Sequence, residues 1–199
     1  MLSAVSTTWP ELHVLFLMAL RTGMRLGELL AVQWGDLDLV DRFVEVQRNL
    51  VSGKLTTPKN TNTRRVDMSA QLAEALTRHR AAAKADALKA GTPLAVWVFT
   101  NRDGAPLDGD NLRRRVFEKA LTKAELRHVR IHDLRHTFAS MLIQNGESLA
   151  YVRDQLGHSS IAITVDTYGH LVPGSNRAAV DRLDSIPSRT SAASGEGAK

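Results

Sequence analysis

A chain of 199 residues with 43% hydrophobic content is long enough to bury one sizeable core, which points to one compact domain. It contains no cysteine, which excludes a disulfide scaffold, a Cys-ligated zinc and a thiol nucleophile, and fits a reducing compartment with the cytoplasm as the expected location. Lys and Arg number 26 against 21 Asp and Glu, and this net charge of +5 suits a polyanionic partner.

Pro10 and Glu11, followed by LHVLFLMAL, predict a helix entered through proline and ended at Thr22-Gly23. That apolar stretch is far shorter than the roughly 20 residues of a membrane span. No basic segment followed by a small-residue cleavage site marks a signal peptide. A second short helix is expected from Arg25 to about Val32. From Arg42 the pattern changes to FVEVQ, LVSGKLTTPK and RRVDM. These read as three short strands of one small antiparallel sheet, turned at Ser52-Gly53 and at Lys59-Asn60-Thr61-Asn62.

Ser69 then caps a long Ala-rich helix with Leu72, Leu76 and Ala83 at helical spacing, which runs out before Gly91-Thr92-Pro93. Trp97 to Phe99 reads as a buried strand or an extended link. Beyond the turn at Asp103-Gly104, helices are expected over 107–124, over 131–144 closed by Gly146, over 148–156 closed by Gly157, and over 161–168. An amphipathic piece over 176–183 precedes a Ser, Ala and Gly-rich tail from Pro187 that is too poor in apolar surface to order itself. The fold class is α+β and mainly α-helical, with one domain over 1–186 and a disordered tail over 187–199.

Five segments carry chemistry. Thr22-Gly23-Met24-Arg25-Leu26-Gly27-Glu28 places Arg25 at a helix start, where a bare cation opposes the macrodipole, and Glu28 three residues on along the same face. Lys59 sits in the turn Thr57-Pro58-Lys59-Asn60-Thr61, where a long cationic side chain can reach a ligand. His132 and Arg135 are three apart on a helix, so both could meet one phosphate, although such pairs are also common on solvated faces. His158 occupies the turn between Gly157, which ends one helix, and Ser159 or Ser160, which can cap the next. Tyr168, one of two tyrosines, ends a helix, where the bland reading is a core aromatic. His132 and His136 are spaced as in helical zinc sites, but HExxH lacks its Glu here and no third ligand is evident, so packing is expected for His136.

In order, Arg25, Lys59, His132, Arg135, His158 and Tyr168 resemble the tyrosine recombinase (phage integrase) family, whose pattern is an arginine in TGxRxxEL, a lysine in a β-turn, HxxR, a GH segment and a C-terminal tyrosine. The resemblance covers Thr22 to His170. It implies that the family's catalytic-domain fold is present, that Tyr168 attacks a DNA phosphate, and that Arg25 and Arg135 clamp the non-bridging oxygens. It further implies that His158 bonds a non-bridging oxygen and that Lys59 protonates the leaving 5′-oxygen. His132 is the expected acceptor of the tyrosine proton, and Glu28 is expected to hold Arg25 rather than touch an anion. No cofactor or metal is called for.

The implied partners are double-stranded DNA, a homotetramer on paired sites and accessory DNA-bending proteins. The family's usual N-terminal DNA-clamping domain is not evident, so the alternative is a DNA-binding remnant without independent activity. A type IB topoisomerase would share the chemistry, but LGHSS followed by DTYGH favours a recombinase.

Overall fold

The computed structural model describes residues 1–57, 63–172 and 177–185. It opens with α1 (Leu2–Thr8) and a 3-10 turn (Pro10–Leu12) that feeds α2 (His13–Thr22). Gly23 ends α2 at φ 60°, a left-handed conformation that glycine adopts without a Cβ penalty. A short α3 (Leu26–Leu30) follows, with Arg25 as its N-cap in extended conformation.

The expected sheet is present as a three-stranded antiparallel sheet, but one of its members differs. β1 (Leu37–Asp38), β2 (Phe43–Val46) and β5 (Arg64–Asp67) lie in the order β1-β2-β5. The middle stretch, LVSGKLT, instead folds on itself as the separate hairpin β3 (Asn49–Val51) and β4 (Lys54–Thr56). The physical reason is the two-residue loop: Ser52 at φ 49° and Gly53 at φ 76° both lie on the left-handed side, the geometry that matches strand twist and closes a hairpin at once. The turn at 59–62, and Lys59 within it, lies outside the described residues.

Ser69 caps α4 (Ala70–Lys89) through a bond from Leu72 N to its hydroxyl, and Leu72 and Leu76 are buried beneath it. The link at Trp97 stays extended, bridging Gln33, with Val98 N bonded to Val32 O. The expected helix over 107–124 is continuous over 109–123, as α5 (Gly109–Asn111), a wide π stretch (Leu112–Phe117) and α6 (Glu118–Lys123). Then come α7 (Asp133–Gln144), α8 (Leu149–Leu156), α9 (Ile161–Tyr168) and α10 (Arg177–Asp181). The tail over 187–199 lies outside the described residues. No described helix is long and apolar enough to cross a membrane.

Two cores organise these elements. The larger one gathers α1 to α4, the three-stranded sheet and the π stretch, with Phe16 stacked on Phe117 at 5.7 Å between centroids. The smaller one is built by Phe138, Ala139 and Ile143 of α7, Val152 and Leu156 of α8, and Tyr168 of α9. Each fully buried aliphatic side chain among them contributes about 1.5–3 kcal/mol. The seam between the cores runs past Gly23, where an added Cβ would stand 2.4 Å from Phe138. Every candidate residue that is described lies along this seam.

Candidate active site

Arg25, at the N-cap of α3, is placed where its charge meets the positive end of a helix. Glu28, three residues on, offsets this by reaching back: its carboxylate accepts from the Arg25 backbone N–H at 3.0 Å and from Arg25 Nη1 at 2.8 Å. The same carboxylate also takes two parallel bonds from Arg64, Nη1 to Oε1 at 3.0 Å and Nη2 to Oε2 at 2.7 Å. Burial pushes the Glu28 carboxyl up, but the bonds and charge of Arg64, with those of Arg25, outweigh it and hold the group below its ordinary value. Arg25 keeps a third of its side chain open to solvent, while that of Glu28 is 1% exposed.

Arg135 is the buried member of the site. Its Nη1 donates to Gly23 O at 2.7 Å and its Nη2 to Leu156 O at 2.6 Å. Both carbonyls lie at helix C-termini, the cap of α2 and the last residue of α8, so one guanidinium satisfies orphan acceptors at the negative ends of two dipoles. Burial first, then the nearby charge of Arg25, lowers its pKa to about 10, with Glu28 acting in the opposite direction. It remains a cation at neutral pH, and part of its fork is left to bond a ligand.

His132 caps α7 at the mouth of the site and is exposed. Partial burial and then the charge of Arg135 lower its pKa. His158 sits between Gly157 and the Ser160 cap of α9, and its Nδ1 lies 2.9 Å from the hydroxyl of buried Thr164. Burial, followed by the charges of Arg135 and Arg25, pushes its pKa down to about 4. Tyr168 ends α9 with its ring 3% exposed, and burial raises its pKa while Arg135 pulls the other way.

His136 packs its ring against those of His132 and Tyr168, and it also makes a polar contact. Its Nδ1 lies 2.8 Å from the Tyr168 hydroxyl, with its ring 5.2 Å from that of His132. Helical spacing puts His132, Arg135 and His136 at i, i+3 and i+4, so one face of α7 presents all three.

Two residues that matter here were not singled out from the sequence. Arg64 donates its Nε to Gln155 O at 3.3 Å as well as pairing with Glu28, and so ties β5 to both α3 and the end of α8. Gln155 returns the link, its Oε1 accepting from Asp67 N at 2.8 Å. Gly157 is required twice: its φ is 66°, and an added Cβ would lie 2.7 Å from Arg64 Cδ. β4 ends at Thr56 and β5 begins with Arg64, which itself enters the site. Among the described residues, no group of His, Asp or Glu is arranged to hold a metal ion.

A family model described as the phage integrase family matches residues 3–174. A XerC-like tyrosine recombinase of Caldanaerobacter subterraneus subsp. tengcongensis is 34% identical over 195 residues, covering 88% of this chain and 50% of the relative. The ICEBs1 integrase of Bacillus subtilis is 32% identical over 179 residues, with 86% and 48% covered. Among solved structures, the Tn1549 transposon integrase in complex with transposon right end DNA shares the fold at a TM-score of 0.72 and 22% identity, covering 92% of this chain and 62% of that one. The chain spans about half the length of the curated relatives it matches.

Proposed function

The chain belongs to the phage integrase family, and we propose that it is the catalytic domain of a site-specific recombinase that cuts and rejoins DNA through a 3′-phosphotyrosine. The observation that carries the reading is the convergence of a buried, carbonyl-anchored arginine, a second arginine open to solvent and a tyrosine hydroxyl on one seam. A phosphodiester is an anion that repels nucleophiles, so the first requirement of its cleavage is charge neutralisation.

Arg25 and Arg135 supply that requirement by bonding the non-bridging oxygens, whose charge grows in the transition state. Losing one such donor costs about 2.7–4 kcal/mol in comparable sites. His158, held by Thr164, bonds the same oxygens, and His132 stands at the mouth where the duplex backbone arrives. Tyr168 Oη attacks phosphorus as the P–O5′ bond breaks, and Lys59 gives the leaving oxygen its proton.

The phenol proton passes to an imidazole of α7, because a free tyrosine with a pKa of about 10 is ionised too rarely at pH 7, a deficit of roughly 4 kcal/mol. The phosphotyrosine keeps the energy of the broken bond, so a 5′-hydroxyl from a second strand can reverse the step and reseal the backbone without a nucleotide cofactor. Double-stranded DNA in the cytoplasm is the substrate. Exchange between two sites calls for four protomers, with DNA-bending proteins to bring the sites together.

Incubation with a nicked suicide duplex in EDTA tests this directly. The parent chain should form a protein–DNA adduct stable to denaturant, and Tyr168→Phe should form none while still binding the duplex. A parent that binds duplex without forming an adduct would be a DNA-binding remnant.

A further inference from the structure

The phenol of Tyr168 has a defined hydrogen-bond partner in His136. The histidine of the HxxR segment, His132, is exposed at the helix cap, and among the described residues no hydrogen bond joins it to the phenol. A general base must lie within about 2.6–3.2 Å of the oxygen it deprotonates. His136 Nδ1 meets that requirement at 2.8 Å, and half-burial of its ring keeps bulk water from competing for the phenol.

From this geometry we propose that His136 is the group that takes the proton of Tyr168. The inference rests on the reading that Tyr168 attacks a DNA phosphate. In the step, the pair on Oη forms the new bond to phosphorus, the P–O5′ bond breaks with its pair leaving on O5′, and the Oη proton moves to His136 Nδ1. No oxidant or co-reactant is involved.

The imidazole must start with its own proton on Nε2 so that Nδ1 is free to accept. After transfer its positive charge sits on the residue next to Arg135, and the negative charge of the bound phosphodiester stabilises both. The same contact, together with the burial of Tyr168 in the small core, fixes the direction of the phenol. His132 touches this pair edge-on, its ring at 84° to that of His136, and so supports the ring that takes the proton.

His136→Asn keeps an acceptor near the Nδ1 position but cannot hold a proton at neutral pH. Single-turnover adduct formation by this variant should fall on the order of 10²–10⁴-fold with duplex affinity unchanged. Replacing Tyr168 by a fluorinated tyrosine, whose phenol ionises more readily, should restore most of that loss in His136→Asn and little of it in Arg25→Lys. A His136→Asn rate within a few-fold of the parent overturns the assignment, as does fluorotyrosine rescue confined to His132→Asn. If the parent forms no adduct, the reading beneath the inference fails and the inference with it.

Nitrogen-15 NMR of the parent ring gives a readout that does not depend on the variant folding. Nδ1 should be unprotonated and hydrogen-bonded, with its shift displaced in Tyr168→Phe. A protonated Nδ1 in the parent would overturn the proposal.

Discussion

The carboxylate of Glu28 is the most demanding test of how the site is held. It is 1% exposed and accepts four bonds, two from Arg25 and two from Arg64, whose own side chain is only 12% exposed. Substituting Glu28→Gln removes the charge at nearly constant volume and turns an amide NH2 toward guanidinium donors. Breaking one side of a buried pair costs about 3–5 kcal/mol because the other charge is left uncompensated, a large share of the roughly 5–15 kcal/mol that holds a domain together. Arg64→Met should cost less, about 1.5–3 kcal/mol for its charge-assisted bonds, since Arg25 still neutralises Glu28.

The double variant should then cost little more than Glu28→Gln alone, a coupling of about 0.5–3 kcal/mol. Urea unfolding followed by circular dichroism, with equal slopes across the set, measures all three. The sign with pH follows from the lowered Glu28 pKa: its stabilisation is complete above the ordinary value of 4.5 and is lost as pH falls through the folded value. A Glu28→Gln cost under about 1 kcal/mol, or strict additivity in the double variant, would show that the pair does not tie α3 to β5.

Gly157→Ala should lower the melting temperature and slow adduct formation, since the new Cβ meets Arg64 at 2.7 Å at a φ of 66°; an unchanged melting curve would contradict the close approach. His158, with a folded pKa of about 4 against an ordinary 6.5, binds its proton more readily in the unfolded chain. Its contribution to stability is therefore present above pH 6.5 and lost as pH falls toward 4, and an imidazole NMR titration with a midpoint near 6.5 would refute the shift. If Lys59 is the proton donor, Lys59→Ala should cleave a duplex with sulfur at the bridging 5′ position at close to the parental rate while failing on the ordinary one. Equal losses on both substrates would make Lys59 a binding residue.

Most elements were legible because their signals are local. Gly23, Gly157, Ser69 and Ser148 mark helix ends through backbone conformation and side-chain caps, and each does so in the structure. The membership of the sheet was not legible for the same reason. Leu37–Asp38 is too short to show alternation, and its pairing with Phe43 and Val44 is set by the fold around it.

Arg64 and Arg65 look alike in sequence. Neighbouring residues on a strand face opposite ways, and only the partners across the fold decide which one enters the site. Arg65 lies over Phe43 and pairs with exposed Glu45, while Arg64 turns toward Glu28, 36 positions away. The polar partner of His136 was not legible: its spacing from His132 raises only the question of a metal, whereas the partner is a tyrosine 32 residues downstream that tertiary packing brings near.

The charge pattern of the seam explains why Arg135 is held by carbonyls. Its pKa of about 10 and that of His158 at about 4 share their causes, burial and mutual repulsion with Arg25 and Arg64. Glu28 is the carboxylate that opposes the lowering at Arg135, and its oxygens are bonded by Arg25 and Arg64. A carboxylate on Arg135 would fix it equally well but would neutralise its charge. Two carbonyl dipoles fix it without neutralising it. The site therefore keeps a local excess of positive charge around a buried guanidinium, an arrangement that disfavours the folded chain and that an anion bound there would offset. By linkage, any anion that binds there and offsets it must raise the stability of the folded chain in proportion to the logarithm of its concentration above Kd, so the local cost of gathering these charges and the affinity for such an anion would have one physical origin.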